Sequence, residues 1–205
     1  MPFQGFPVIM TTGLKAAAVA PAWTKGFDFR ATSGFVTDDA NYTYVLPADT
    51  YPTTRNSVTF GWVVDGNTVS GADRNSGAIP QLAGINFVAG LQGASPTYFR
   101  VDLPSAGTFD VTLGLGDASF AQVNMRVEVR DTSTSKFFVL TGGDFSTSAN
   151  HFVDASGVDR TAAAWPTDEV AVSTVFATTQ LWLIPGSLSA SDVTTMACLV
   201  VTQTA

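Results

Sequence analysis

The chain has 205 residues, with 10 Lys+Arg against 17 Asp+Glu for a net charge of −7, and only 13% of it is charged against 45% hydrophobic. Fifteen Phe in a chain this poor in charge exclude intrinsic disorder, and the acidic balance excludes the clustered cations that sequence-independent nucleic-acid binding needs. A single cysteine, Cys198, excludes an intrachain disulfide framework and a cysteine-based zinc cluster.

The opening apolar stretch has no Lys or Arg ahead of it and is interrupted by Lys15, unlike a secretory leader. With Pro2, Pro7 and Pro21 it would bury poorly on its own domain. Residues 1–26 are therefore expected to form an N-terminal arm that docks on a neighbour, and residues 27–205 a single domain. No stretch approaches the ~18 continuous apolar residues of a membrane span.

From residue 58 onward the strand signals are regular. Val58 to Val64 is β-branched and aromatic, and Asp65-Gly66-Asn67 is a turn signal. Thr97 to Leu103 follows, closed by Pro104-Ser105-Ala106-Gly107. Phe109, Val111, Leu113 and Leu115 alternate with Asp110, Thr112 and Gly114, and Gly116-Asp117 reads as a turn. Val123, Met125, Val127 and Val129 alternate with Asn124, Arg126, Glu128 and Arg130, a strand with one wet face. Phe137–Thr141, Glu169–Phe176, Gln180–Ile184 and Met196–Thr202 complete at least eight strands. Ala162-Ala163-Ala164, stopped by Trp165-Pro166, offers one helical turn at most. Glu occurs only at Glu128 and Glu169, and Lys only at Lys15, Lys25 and Lys136, so long helix-forming charged residues are nearly absent. The pattern predicts an all-β sandwich or barrel. Long loops at 65–96 and 142–168 are where binding is expected.

One block carries a specific likeness. Phe99-Arg100-Val101-Asp102-Leu103-Pro104, then Gly107-Thr108-Phe109-Asp110-Val111-Thr112-Leu113 and Leu115-Gly116-Asp117, resemble the galactose-binding-like jelly-roll domain found beside rhamnogalacturonan acetylesterase and polysaccharide lyase domains. Phe27-Asp28-Phe29, Phe60-Gly61-Trp62 with Asp73-Arg74, Gln180-Leu181-Trp182-Leu183 and Cys198-Leu199-Val200-Val201 are similar to its flanking elements. The resemblance covers roughly 27–203 and implies a jelly-roll β-sandwich with a sugar-binding ancestry. The family's partner catalytic domain and secretion signal have no counterpart among these residues, so an esterase or lyase activity does not transfer.

For chemistry, the lone His151 lies in a polar Ser148-Ala149-Asn150 setting without a G-x-S-x-G elbow. Cys198 sits in an apolar strand with nothing basic nearby to make a thiolate. Asp clusters with Gly, Asn and Ser, as turn-forming Asp does. No catalytic residue and no obligatory cofactor is expected. A structural calcium could draw hard oxygen ligands from Thr37-Asp38-Asp39-Ala40-Asn41 or Asp65-Gly66-Asn67. Sugar recognition needs flat aromatic faces and hydroxyl-reading polar groups. Among Tyr42, Tyr44, Tyr51, Trp62, Tyr98 and Trp165, the surface candidates are Tyr51 before Pro52 and Trp165 before Pro166, with Trp62 expected in the core. The resemblance adds Asp73, Arg74 and Asn75.

Sparse charge leaves Thr, Ser, Ala and Phe to fill the surface, a signature of association. The leading expectation is a non-enzymatic virion protein: a capsid decoration, head-fibre or tail-associated subunit of a bacteriophage. Its partners would be other virion subunits or copies of itself, without nucleic acid or membrane. The alternative is a secreted carbohydrate-binding module for plant or algal polysaccharide, and a glycan esterase or hydrolase ranks third.

Overall fold

Period-two burial dictates the layers. In β8 (Gly107–Gly114) Phe109, Val111 and Leu113 are buried, while Asp110 and Thr112 between them are not. In β7 (Tyr98–Asp102) Phe99 and Val101 are buried and Tyr98, Arg100 and Asp102 turn outward. The computed structural model describes residues 23–34, 42–74, 77–89, 97–131, 136–139, 145–165, 170–187 and 192–204. Strands are numbered β1 to β18 in chain order.

One sheet has five strands, ordered β15 (Val170–Phe176), β8, β18 (Cys198–Gln203), β1 (Thr24–Phe29) and β2 (Thr43–Val45). All its pairs are antiparallel except β1 with β2. The second sheet runs β11 (Lys136–Val139), β10 (Gln122–Arg130), β16 (Gln180–Ser187), β7, β4 (Val58–Val63) and β3 (Thr53–Arg55), with β12 (Phe145–Thr147) also on β10. The two sheets meet face to face through aromatic side chains. The Phe27 ring lies 5.4 Å from Phe60 and 5.6 Å from Phe99, and Phe29 lies 5.0 Å from Phe99. Each such ring, fully buried, contributes about 1.5–3 kcal/mol by transfer from water. Trp62 is 1% exposed and Cys198 is buried, as their apolar strands predict.

Two three-stranded sheets flank this core: β14 (Asp159–Thr161), β13 (His151–Val153), β9 (Gly116–Asp117); and β17 (Val193–Met196), β6 (Gly84–Ala89), β5 (Thr68–Asp73). Ile79, Leu82, Ile85, Ala118, Phe152 and Ala197 form a second hydrophobic cluster there. The all-β class is as expected, but the strands divide among four sheets and not two. The expected loops at 65–96 and 142–168 contain β5 and β6, and β12, β13 and β14, with 3-10 turns at Pro80–Leu82 and Ala162–Ala164. β12, β13 and β14 have three residues each, and the six-residue β5 and β6 show no clean alternation of buried and exposed positions, so local periodicity does not reveal them. Gly116-Asp117, read as a turn, is itself a short strand paired with β13. At the start, β1 begins at Thr24, and Gln203 N–H donates to the Trp23 carbonyl (2.8 Å), so the sheet takes in residues expected in the arm.

Candidate functional site

The outer face of the seven-stranded sheet gathers aromatic and charged side chains in register. Arg100 of β7 stands opposite Trp182 of β16 on one side and Gly61 of β4 on the other. Tyr98 and Trp182 stack at 4.3 Å with an 18° interplanar angle. The missing side chain at Gly61 admits the segment Thr50–Tyr51: a Cβ there would lie 2.6 Å from the Tyr51 amide nitrogen. That segment is tied down, with Tyr51 N–H donating to the Trp62 carbonyl (2.9 Å) and Trp62 N–H donating to the Asp49 carbonyl (2.8 Å).

Tyr51 thereby reaches Asp102. Its hydroxyl donates to Asp102 Oδ2 at 2.9 Å, Arg100 Nε donates to Asp102 Oδ1 at 3.0 Å, and the Arg100 guanidinium lies 4.1 Å from the Tyr51 ring centre. Burial, then the hydrogen bond to Asp102, push the Tyr51 hydroxyl above the ordinary phenol value, so it remains a donor at neutral pH. Burial also raises Tyr98, opposed by Arg100. Trp182 Nε1 donates to Gln180 Oε1 at 3.0 Å. Tyr51, Tyr98, Arg100, Asp102, Gln180 and Trp182 are all half-buried. Such a surface offers apolar ring area beside oriented donors and acceptors, the combination that ring C–H faces and hydroxyls need.

The structure divides the residues expected to form a site. Tyr51 belongs to this outer face. Arg74 is instead clamped to Asp117, with Nε to Oδ1 at 3.1 Å and Nη2 to Oδ2 at 2.9 Å, and its guanidinium covers the Phe120 ring at 4.5 Å. Asp117 is fully buried and also accepts from Ser119 N–H, Phe120 N–H and Gln122 Nε2. The pair thus fixes the turn from β9 into β10. Asp73 points elsewhere, accepting from Ala31 N–H (2.7 Å), Thr32 N–H (3.0 Å) and the Thr32 hydroxyl (2.7 Å). Trp165 packs edge-on against Phe152 at 5.1 Å, on the second hydrophobic cluster. It is half-buried there, on a different sheet region from Tyr51. Asn75 lies outside the described residues.

The residues that join Tyr51 were within reach of one signal. In Phe99-Arg100-Val101-Asp102 and Gln180-Leu181-Trp182-Leu183, strict alternation sets Arg100, Asp102 and Trp182 on the face opposite the core. What alternation does not supply is which strands are neighbours.

At His151, Nδ1 lies 3.0 Å from Asp159 Oδ1, while the Ser148 hydroxyl donates to Asp159 Oδ2 at 2.9 Å. The Ser148 hydroxyl and the imidazole both engage the carboxylate; the described hydrogen bond between the two residues runs from His151 N–H to the Ser148 carbonyl (3.3 Å) and not between their side chains. Among the described residues no three His, Cys, Asp or Glu side chains gather as a metal site. Thr37–Asn41 lies outside them. No helix among the described residues is long and apolar enough to cross a membrane.

No family model and no curated protein matches the sequence. Among solved structures the chain is similar to protein YXIM from Bacillus subtilis, at 20% identity and a TM-score of 0.54, over 89% of this chain and 40% of that one. It is also similar to Bacteroides uniformis β-glucuronidase 2, at 10% identity and a TM-score of 0.48, over 90% of this chain and 18% of that one. A third is the Phanerochaete chrysosporium exo-β-1,3-galactanase, at 12% identity and a TM-score of 0.34, over 72% of this chain and 30% of that one. The chain therefore spans well under half the length of each of these. The likeness to the Bacillus protein is one of fold.

Proposed function

We propose that this chain is a non-enzymatic carbohydrate-binding module of jelly-roll type, with its glycan on the outer face of the seven-stranded sheet. The observation that carries the proposal is the Tyr51–Arg100–Asp102 network set beside the stacked Tyr98–Trp182 pair. Aromatic area supplies apolar contact for the C–H face of a pyranose, and the carboxylate and guanidinium read hydroxyls through charge-assisted hydrogen bonds. Both are held before any ligand arrives, which lowers the ordering cost of binding. The jelly-roll assignment draws support from two large, mostly antiparallel sheets that face each other across one aromatic core.

The test is a glycan array followed by calorimetry with the full chain. Trp182→Ala is expected to weaken glycan binding at least ~10-fold, a loss of about 1.4 kcal/mol, with an unchanged circular dichroism spectrum. Phe120→Ser, at the Arg74–Asp117 cluster, is expected to leave binding as it was. Silence across plant, algal and bacterial surface glycans, or full binding by Trp182→Ala, overturns the proposal.

A second reading, a structural subunit of an assembly such as a bacteriophage virion, draws on the sparse charge and on the exposed Val175 of strand β15. The two readings are compatible, since a virion subunit can carry a glycan site.

A further inference from the structure

We infer that the glycan taken by the outer face is uncharged: a neutral polysaccharide and not a polyuronate or sulfated one. The inference rests on reading that face as the glycan site. Its basis is how the charges there are already matched. Arg100 holds Asp102 through both Nε and Nη2, each 3.0 Å from Oδ1. The other carboxylate oxygen is taken by the Tyr51 hydroxyl at 2.9 Å. In the next strand over, Arg130 stands opposite Trp182 and pairs with Glu128, two residues away on the same face.

The row Arg130–Trp182–Arg100 therefore holds two guanidiniums, each with its own carboxylate; the Arg130–Glu128 pair is nearly buried, so Arg100 with Asp102 is the pair more open to a ligand. Arg126, the third outward arginine of these strands, lies opposite Gly186, two same-face positions away from that row. A ligand carboxylate or sulfate reaching the donors that Arg100 does not give to Asp102 would stand beside that carboxylate, setting a second anion against a half-buried Asp102 where the one positive charge is already matched. Taking the donors that Asp102 holds would break one charge-assisted contact to make another. The whole chain, at −7, adds repulsion toward any polyanion as it approaches. A neutral glycan meets neither obstacle. Its hydroxyls can add to the network, donating to the carboxylate and accepting from the guanidinium, without breaking the ion pair.

The experiment compares neutral galactan, xylan and mannan with polygalacturonate, alginate and a sulfated galactan by affinity electrophoresis and calorimetry. The full chain is used at ~0.05 and ~0.5 M salt, where exposed charges are screened over very different distances. Expected are binding to a neutral polymer that changes less than ~2-fold with salt, loss of it in Trp182→Ala, and no retention by the polyanions. Asp102→Asn, which leaves the Arg100 charge unmatched, is expected to create polyuronate retention that salt abolishes. Polyuronate binding by the unaltered chain that Trp182→Ala abolishes and salt weakens would sink the neutral-ligand inference while sustaining the outer-face site. Binding to no polymer, or binding indifferent to Trp182→Ala, would remove the site itself and the inference with it.

Discussion

Gly61 is where one residue decides whether a surface becomes a site. It sits within β4 at φ +146°, a backbone conformation that side-chain-bearing residues rarely adopt, and its bare Cα lets the Thr50–Tyr51 backbone lie against the sheet. Alanine there meets Tyr51 N at 2.6 Å and the Thr50 carbonyl carbon at 2.7 Å, both backbone atoms that cannot swing aside. Gly61→Ala is thus expected to cost ~1–3 kcal/mol through backbone strain, and to weaken glycan binding by displacing Tyr51 from Asp102. Chemical denaturation and calorimetry on the same preparation check both effects; a variant as stable as the parent that binds equally well contradicts this role. At this scale the sequence was partly legible. Tyr51 stood out beside its proline, whereas Arg74 was drawn in by the family resemblance, with its partner Asp117 out of sight 43 residues away. A guanidinium in a bidentate pair with a fully buried carboxylate is a fastening, and only the fold reveals the pairing.

The small sheets depend on side chains that hold their turns. Between β13 and β14, Asp154 Oδ1 accepts from Ser156 N–H (2.8 Å) and Val158 N–H (3.0 Å), and Oδ2 accepts from Arg160 Nε (2.7 Å). Burial pushes this carboxyl upward, but the bonds from Val158, Arg160 and Ser156 outweigh it and leave the group below the ordinary carboxylate value. With the folded value below the unfolded one, the unfolded chain binds more protons between the two, so stability rises with pH across that window. The contribution is complete above the ordinary aspartate value of ~3.9 and is lost as pH falls through the folded value. Asp154→Asn is expected to melt lower at neutral pH and to show a shallower loss of melting temperature on acidification. Thermal melts from about pH 6 to about pH 2 measure this, and parallel curves for the two proteins would refute it. Such elements escaped the sequence because three-residue strands with polar neighbours have no periodicity to detect. The strands β7 and β8 were readable because they run five and eight residues and bury alternate side chains. β10 and β16 were found as strands, but their burial does not alternate throughout: in β10 Val123 is 53% exposed and Glu128 is buried, against the one wet face expected, and β16 buries Leu183 to Gly186 in succession.

At the scale of the whole molecule, the charge deficit meets the topology at the outer strand of the five-stranded sheet. β15 pairs with β8 on one side, and among the described strands it has no partner on the other. Its outward Val175 is 62% exposed, directly opposite Thr108, while Phe176 beside it turns into the core. A paired protein usually blunts such an edge with lysine or a bulge; described positions 173–176 carry Ser, Thr, Val and Phe. These features predict concentration-dependent self-association through this edge, by strand addition or by apolar contact at Val175. Val175→Lys places a charge at the edge while leaving the inward Phe176 and the opposite sheet untouched. Size-exclusion chromatography with light scattering is expected to show oligomers of the parent chain that Val175→Lys shifts toward monomer, with glycan binding at the far sheet unchanged. A parent chain that stays monomeric at ~100 μM, well above the dissociation constant of a stable ~1,600 Å² interface, would leave the edge as an ordinary surface. It would also remove the observation that favours an assembly subunit over a free-standing module.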